Sequence, residues 1–406
     1  MVKSVSETAP GLPRALPQAV LRGETDRTLL LEVIRRARIT RAELAAATGF
    51  SKPTVSEAIR RLAAEGLVTL AGAQETGRRG RVGTFCELAP AAGWILAIVL
   101  DQTGVHTRSV DLAGRAVGES RFPPGAAGDA AALTTVLRQS VADAMTTAAA
   151  HGPLRAIGVS VANPVHPVTH EVIANPASPF PEGLFNPAAA LADMVGVPVL
   201  VDNDVNLAAL AEQRSGAAVD AASFAYFYIG EGMGLGLSIG GRLVRGAHGW
   251  AGEIGYLPGS NPRRTLAAEL AASGFGRPDA PSADVDAMLD LLDSAGPVSR
   301  AKQRRVRTLT EAIVRVIGSV SAIVDPELVL LGGPVGTHPA LLEPVRAALA
   351  ESFDSPARLA HGSFGSLASL QGATHLALDH ALAAAVAMLP NGYGAGSAQS
   401  IPALAT

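Results

Sequence analysis

The chain of 406 residues has a single cysteine, Cys86. One thiol excludes an intrachain disulfide and a multi-cysteine zinc site. Long apolar runs are also absent, since none approaches the roughly 18 residues of a membrane-spanning helix and the N-terminus has no apolar core of the signal-peptide type. Charged residues make up 17% and hydrophobic residues 48% of the chain. We therefore expect a cytoplasmic, globular protein of two or three domains.

Positive charge is concentrated near the N-terminus. Residues 22–85 contain 12 Lys and Arg against 7 Asp and Glu, although the whole chain has a net charge of −3. The acidic excess therefore lies in the rest of the chain. A basic segment attached to an acidic body indicates that this segment approaches a polyanion, although chance clustering of arginines would give the same count.

Short helices with polar caps follow a Pro-containing tail, residues 1–20, that we expect to be flexible. Thr25 or Asp26 can cap the first helix. Thr40 and Glu43 have the spacing of a capping box at the start of the second helix. Short capped helices that follow one another in this way predict a helix-turn-helix.

The third helix, residues 52–65, is expected to be the recognition helix. Pro53 in its first turn is typical of a helix start. Two strands that follow, at 67–70 and 84–88, complete the plan of a winged domain. The residues that we expect to contact DNA are small or polar at the helix start and cationic further along: Ser51, Lys52, Pro53, Thr54, Ser56, Arg60 and Arg61.

Arginines and glycines alternate between the two strands of the wing. Arg78, Arg79 and Arg81 form a cationic tip that suits a narrow minor groove, although an ordinary solvated hairpin has the same pattern. Residues 21–88 are therefore predicted to be a winged helix-turn-helix domain whose partner is double-stranded operator DNA.

Strands and helices alternate in the rest of the chain, residues 89–390, which indicates an α/β body. Helices are expected near 304–323 and 374–388, and the tail at 391–406 is expected to be disordered. The predicted strands are residues 94–100, 105–110, 116–121, 156–161, 197–201, 225–229, 235–239 and 328–331.

Five motifs occur in one order along the chain, and with them residues 26–388 resemble the regulator branch of the ROK family (repressors, open reading frames and kinases). The motifs are Thr-Gly-Arg-Arg-Gly-Arg at 76–81, Val-Asp-Asn-Asp-Val-Asn at 201–206, Gly-Glu-Gly-Met-Gly-Leu-Gly at 230–236, Ala-Gly-Glu-Ile-Gly at 251–255 and Asp-Pro-Glu-Leu-Val-Leu-Leu-Gly-Gly at 325–333.

The resemblance implies a winged helix-turn-helix followed by a two-lobed α/β domain of the actin-like ATPase or sugar kinase type. It implies a first lobe at about 89–200 together with the C-terminal helix and a second lobe at about 201–373. A sugar site between the lobes and assembly into homodimers or homotetramers are expected on the same basis.

Asn203 and Asp204 stand just past the end of a predicted buried strand, where α/β folds place ligands. By resemblance they match the sugar-binding Asn and the catalytic Asp of the family, although Asp204 could instead cap the next helix. Asn175 aligns loosely with a family sugar contact and could as easily be a turn residue.

Glu253 matches the sugar-binding Glu of the family motif Glu-x-Gly-His, but Tyr256 stands at the His position. The zinc motif that follows in the family, Cys-x-Cys-Gly-x-x-Gly-Cys-x-Glu, is replaced by residues 262–269, which contain no cysteine. We therefore expect no metal. Glu269 fits the last position of the motif. The expected effector-binding residues are Asn175, Asn203, Asp204, Glu253, Tyr256 and Glu269.

Both phosphate loops of the family's kinases are altered. Where those kinases have Asp-x-Gly-Gly-Thr, this chain has Asp-Gln-Thr-Gly-Val, starting at Asp101. Where they have Gly-Thr-Gly, this chain has Glu231 in place of the threonine, and its carboxylate would repel a triphosphate. We expect no nucleotide cofactor and no enzymatic activity. The sequence predicts a sugar-responsive DNA-binding regulator, usually a repressor. A ligand-independent regulator with a silent sugar site and an ATP-dependent sugar kinase fused to a DNA-binding domain stay open as alternatives.

Overall fold

The computed structural model describes residues 18–73, 84–124, 129–174, 178, 180, 183–276, 283–293, 299–352 and 357–389. The predicted site residues Arg78, Arg79, Arg81 and Asn175 lie outside these residues, as do residues 1–17 and the predicted tail at 391–406. The chain divides into two compact units. One contains the described residues up to Ala89 and those from Ala383 onward, and the other is Pro90–Leu382.

Three helices and a three-stranded sheet make up the N-terminal part of the first unit. The sheet has the order β1-β3-β2 and all its pairs are antiparallel. This is the predicted winged helix-turn-helix, with β1 as a strand that the sequence did not indicate. The elements are α1 (Gln18–Arg36), β1 (Arg38–Thr40), α2 (Arg41–Thr48), α3 (Lys52–Ala64), β2 (Val68–Ala73) and β3 (Thr84–Leu88).

Side-chain caps set the starts of α2 and α3. The Thr40 hydroxyl accepts from the Glu43 backbone N–H while the Glu43 carboxylate accepts from the Thr40 backbone N–H, so the predicted capping box is present. Ser51 caps α3 by accepting from the Thr54 backbone N–H. These bonds satisfy N–H groups that a helix start otherwise leaves without partners.

The start of α1 differs from the prediction. The helix begins at Gln18, so Thr25 and Asp26 lie inside it and do not cap it. Residues 18–20, which we assigned to the flexible tail, are helical. The segment Gln-Ala-Val-Leu after Pro17 contains no residue that stops a helix, and the apolar face of α1, which includes Leu29 and is fully buried, stabilises the whole helix.

The second unit contains two five-stranded sheets that repeat one plan. Each has three antiparallel strands followed by two parallel ones, in the orders β6-β5-β4-β7-β8 and β11-β10-β9-β12-β13. This confirms the predicted two-lobed α/β domain. The strands are β4 (Trp94–Asp101), β5 (Gly104–Asp111), β6 (Ala116–Phe122), β7 (Leu154–Val161), β8 (Val199–Asn203), β9 (Phe224–Ile229), β10 (Met233–Ile239), β11 (Arg242–Leu243), β12 (Leu328–Gly332) and β13 (Arg358–His361).

Helices cover both faces of these sheets. One apolar core lies between the first sheet and the helices α4 and α5, and another lies between the second sheet and α8, α9 and α11. The helices are α4 (Ala130–Thr147), α5 (Pro187–Leu191), α6 (Asp204–Ser215), α7 (Leu266–Leu270), α8 (Val285–Asp293), α9 (Arg300–Val324), α10 (Gly333–Gly336), α11 (Leu342–Ser352) and α12 (Ala368–Met388).

Helix α6 lies close to the glycine-rich strand β10. A Cβ atom at Gly236 would lie 2.6 Å from the Ala209 Cβ and 2.8 Å from the Val205 carbonyl oxygen, and one at Gly234 would lie 2.7 Å from a Val205 methyl. Two glycines of the 230–236 motif are therefore needed for helix–sheet packing. This packing fixes the start of α6, where Asn203 and Asp204 lie.

Candidate functional site

The start of α3 presents an exposed polar surface. Ser51, Lys52, Pro53, Thr54 and Ser56 are all exposed, whereas the opposite face of the helix, which includes Val55 and Ile59, is fully buried. The side chain of Lys52 extends from the first turn of the helix, where the macrodipole adds positive potential. This surface has the chemistry of a DNA-contacting helix start.

Arg60 and Arg61 differ in their surroundings. The Arg60 side chain is 70% exposed and pairs with Glu57 on the same helix, with 2.6 Å between Arg60 Nη2 and Glu57 Oε1. The bonded guanidinium lowers the pKa of Glu57. Arg61 instead donates two hydrogen bonds, of 2.9 and 2.5 Å, to the carboxylate of Asp26 on α1.

The expectation that Arg61 faces a DNA phosphate is therefore not supported. Asp26 is 7% exposed, and a buried carboxylate needs a cationic partner. Arg61 is the cation that meets this need, and the pair ties α3 to α1. Its bond to Asp26 raises the pKa of Arg61 further.

A cleft of about 1010 Å³ lies between the two lobes of the second unit. Its first wall comes from the ends of β4 and β8 and the start of α6, and its second wall from the β9–β10 turn and the segment around Glu253. Four carboxylates and two groups that can carry positive charge line it: Asp101, Asp204, Glu231, Glu253, His106 and Arg121.

Asn203 and Asp204 are brought together at the start of α6. The Asn203 side-chain oxygen accepts from the backbone N–H groups of Val205 and Asn206, so Asn203 and not Asp204 caps the helix. The Asn203 side-chain nitrogen donates to Asp204 Oδ1 at 3.0 Å. The same oxygen of Asp204 accepts from the Val205 backbone N–H at 2.8 Å. One carboxylate oxygen of Asp204 is thus held in place.

Two carboxyl groups of the cleft have strongly raised pKa values. Burial raises the pKa of Asp204 from 3.8 to about 7, against the opposing bond from the Val205 N–H, and the charges of Glu253, Asp101 and Glu231 raise it further. Burial raises the pKa of Glu253 from 4.5 to about 7. Carboxyl groups that titrate near neutral pH inside a cleft are typical of functional sites.

Glu231 occupies the centre of the turn between β9 and β10. Its carboxylate accepts a hydrogen bond of 2.9 Å from the Tyr228 hydroxyl, and the backbone N–H of Gly230 donates to the Gly232 carbonyl. Burial and the Glu231 charge raise the pKa of Tyr228 well above its ordinary value. The turn therefore presents a carboxylate to the cleft where the family pattern has a threonine.

The other altered phosphate loop is a tight turn between β4 and β5. The Asp101 carboxylate accepts from the backbone N–H and the hydroxyl of Thr103, at 2.7 and 2.5 Å. Gly104 has a φ of +120°, and a Cβ atom there would lie 2.1 Å from the Phe122 carbonyl oxygen. The bonds to Thr103 hold Asp101 inside its own turn.

Tyr256 and Glu253 line the second wall of the cleft, as expected for effector contacts. Tyr256 is 44% exposed, and its ring packs edge-to-face on that of Trp250, with 5.5 Å between ring centroids. Of this aromatic pair, Tyr256 stands at the position of the zinc-binding histidine in the family motif.

Glu269, an expected sugar contact, is not among the residues that line the cleft. Its neighbours Ala268 and Leu270 line the cleft, but the Glu269 carboxylate accepts from the backbone N–H and hydroxyl of Ser260 and lies 3.4 Å from Arg315 Nη1. Burial opposes them, but together these bonds lower the pKa of Glu269. The Glu269 carboxylate therefore joins the segment around Ser260 to α9.

Asn163, which the sequence reasoning missed, holds the side chain of the site residue Asn203. Its side chain donates to the Phe180 backbone carbonyl and accepts from the Ser178 hydroxyl. The backbone carbonyl of Asn163 accepts from the Asn203 side chain at 3.3 Å. It is 1% exposed and follows the carboxyl end of β7, next to β8. Its place after a buried parallel strand was a signal that could have identified it.

In the part of the chain that the structure describes, no three His, Cys, Asp or Glu side chains are placed to share a metal ion. Nor does any described helix have the length and apolar character needed to cross a membrane.

Two protein-family models match the chain. The model of the ROK family matches residues 109–380, which is more than half of the chain. A model of a winged helix-turn-helix DNA-binding domain matches residues 22–69.

Similar proteins include enzymes and regulators. The bifunctional enzyme NanE/NanK of Brucella suis biovar 1 (strain 1330) is 32% identical over 157 residues, which are 38% of this chain and 30% of that protein. The xylose repressor of Bacillus subtilis (strain 168) is 25% identical over 247 residues, which are 59% of this chain and 62% of the repressor. The chain therefore spans less than two thirds of either relative.

A solved structure shares the fold of both units. The ROK family transcriptional regulator described as a homolog of the E. coli MLC protein has a TM-score of 0.64 at 18% sequence identity. The match covers 91% of this chain and 99% of that one.

Proposed function

Because the chain belongs to the ROK family, we propose that it is a sugar-responsive transcriptional repressor of that family. The observation that carries the proposal is that one chain contains a winged helix-turn-helix with an exposed polar α3 start and a two-lobed body whose cleft has Glu231 in place of a phosphate-binding turn. The first feature supports binding to DNA. The second supports a body that binds a small molecule without phosphorylating it.

The winged domain binds operator DNA through α3 and the wing. Lys52, Thr54 and Ser56 at the exposed face of α3 reach base edges or phosphates in the major groove, and the arginines of the wing add contacts to the minor groove. The chain acts as a homodimer or homotetramer, so that two winged domains read two half-sites one or more helical turns apart.

The cleft binds a sugar through groups from both lobes. Asp204 and Asn203 on the first wall and Glu253 and Tyr256 on the second can all accept or donate hydrogen bonds to hydroxyl groups. A ligand that contacts both walls favours one arrangement of the lobes and so changes operator affinity.

Phosphoryl transfer is not part of the proposed function. A kinase of this fold needs backbone N–H groups and cations around the nucleotide phosphates. Here Glu231 presents a negative charge at one phosphate turn, and Asp101 is bonded within its own turn at the other. The carboxylates around Asp204 would add further repulsion to a triphosphate.

An operator test uses DNA selected with the full-length protein from random-sequence duplexes. Fluorescence anisotropy should show that Lys52→Ala weakens binding and lowers the slope of log Kd against log salt by about one unit, since one phosphate contact is lost. Arg307→Ala is the matched control, because Arg307 is a 71% exposed cation on α9. Equal salt slopes for the wild type and Lys52→Ala would contradict the assignment of α3.

A ligand test uses three sugars of different class, D-xylose, D-glucose and N-acetyl-D-mannosamine, in a thermal-shift titration of the full-length protein. A sugar that binds the folded cleft raises the melting temperature as its concentration rises. The alternative of a ligand-independent regulator predicts the same melting temperature with each sugar and normal operator binding.

A further inference from the structure

One segment of the second lobe, residues 244–256, carries Glu253 and Tyr256 to the cleft. It leaves the sheet after β11 and returns to it where the Leu235 N–H donates to the Gly252 carbonyl at 2.9 Å. We call residues 244–256 the effector loop. Between these two ends, it makes contacts with the first lobe.

An ion pair joins the effector loop to the first lobe. The Arg245 guanidinium donates from Nε and Nη2 to Asp202 Oδ2, at 2.8 and 2.6 Å. Asp202 lies on β8 and is 5% exposed. Its other oxygen accepts from the backbone N–H of Asn203 at 2.9 Å.

A close backbone approach provides a second, independent contact. Gly249 has a φ of +78°, and a Cβ atom at that position would lie 2.2 Å from the carbonyl oxygen of Val165 in the first lobe. The effector loop thus lies directly against the Val165 backbone. Only a glycine fits there, because both the conformation and the space exclude a side chain.

The carboxylate of Asp202 therefore connects the two segments that form the walls of the cleft. Asp202 is bonded on one side to the backbone of Asn203, which precedes Asp204, and on the other side to the loop that carries Glu253 and Tyr256. Neither Asp202 nor Arg245 is among the residues that line the cleft. Their effect on a ligand must act through the residues that they hold.

We propose that Asp202 and Arg245 are positioning residues that fix the effector loop against the first lobe and so set the geometry of the sugar site. This inference rests on the proposed function for its ligand, but the placement of the loop can be tested without one. Loss of either partner leaves the effector loop less ordered. The loop must then become ordered when the sugar binds, and the free-energy cost of this ordering lowers sugar affinity.

Trp250 provides a direct probe of the loop. The chain has two tryptophans, and Trp250 is 41% exposed on the effector loop whereas Trp94 is 2% exposed inside the first sheet. Acrylamide quenching of the full-length protein without ligand therefore reports on Trp250, and a Trp250→Phe variant gives the contribution of Trp94. Arg245→Ala and Asp202→Asn should each increase the quenching constant and shift the emission to longer wavelength.

Matched variants separate positioning from a general loss of stability. Arg214→Ala removes an ion pair of similar length, 2.6 Å to Asp379, elsewhere in the same unit and should leave Trp250 quenching as in the wild type. Arg245→Lys should recover part of the wild-type value. The double variant Asp202→Asn with Arg245→Ala should match the single variants, because each one already breaks the pair. Wild-type quenching in Arg245→Ala would overturn the proposal.

The sugar arm uses whichever of D-xylose, D-glucose and N-acetyl-D-mannosamine raises the wild-type melting temperature. Arg245→Ala should need about tenfold more of that sugar for half-maximal effect, which is a change of about 1.4 kcal/mol, while operator affinity without sugar stays as in the wild type. If none of the three binds, the sugar proposal fails and the quenching result still decides the positioning proposal. An unchanged sugar midpoint in a variant with increased quenching would refute the link between loop position and affinity.

Discussion

Asp204→Asn should make the protein more stable at alkaline pH. The pKa of Asp204 is raised from 3.8 to about 7 by burial and by neighbouring carboxylates. The folded protein therefore holds a proton on Asp204 over a pH range in which the unfolded chain has lost it. The contribution of Asp204 to stability is fully present below pH 3.8 and is lost as the pH rises through about 7.

The size of the effect follows from the shift. A difference of roughly three pKa units corresponds to at most about 4 kcal/mol, at about 1.4 kcal/mol for each unit. Asparagine resembles the protonated carboxyl, and its Oδ1 can still accept from the Val205 N–H and the Asn203 side chain. At pH 8 the variant should melt several degrees above the wild type, since about 2–4 °C corresponds to each kcal/mol in domains of 150–250 residues.

Thermal unfolding of the full-length protein at pH 5 and pH 8 measures this effect. The variant should melt above the wild type by less at pH 5, where only part of the Asp204 contribution has been lost, than at pH 8. Asp193→Asn is a control with the opposite sign, because its bond to Arg138 lowers the pKa of Asp193 and its contribution is present at high pH. A variant that melts at or below the wild-type temperature at pH 8 would refute the reasoning. A gain in stability with a loss of sugar binding would identify Asp204 as a residue kept for function.

Three further predictions concern packing and the altered phosphate turn. Arg61→Ala should lower the free energy of unfolding of the winged domain by about 2 kcal/mol because the buried Asp26 loses its partner. Arg60→Ala should leave that free energy unchanged, and chemical denaturation of both variants checks this. Gly236→Ala should destabilise the body by about 1–3 kcal/mol through its contact with α6, whereas Gly318→Ala, with open space around its Cβ, should be neutral or stabilising in the same assay. Wild-type protein should not bind a fluorescent ATP analogue, and Glu231→Thr should gain weak binding without hydrolysis; tight binding by the wild type would contradict the role of Glu231.

Local sequence patterns predicted much of the winged domain because the interactions that form it are short in range. The capping box of Thr40 and Glu43 and the cap of Ser51 on α3 join residues three positions apart. The strand Thr84–Leu88 was predicted with the same bounds. By contrast, β1 has three residues and is a strand only because it pairs with β3, more than forty positions away.

The functional side chains on α3 and around the cleft were predicted less completely, because distant partners direct some of them. Arg61 is turned to Asp26, 35 positions away, and Glu269 is turned toward Arg315, 46 positions away. Motif spacing identifies which residues approach a site but not the rotamers that they adopt there. Asn203 and Asp204 were identified correctly as neighbours of the cleft because their place at the end of a buried strand is a property of the fold.

The proposal as a whole depends on whether a sugar in the cleft changes binding to DNA. The most direct measurement is the fluorescence anisotropy of a selected operator duplex titrated with full-length protein, with and without D-xylose, D-glucose or N-acetyl-D-mannosamine. We expect at least one sugar to change the operator Kd by about fivefold or more in the wild type, in the range of ordinary allosteric coupling, and not in Asp204→Asn. Operator affinity that none of the three sugars changes, or a response that persists in Asp204→Asn, would contradict this account.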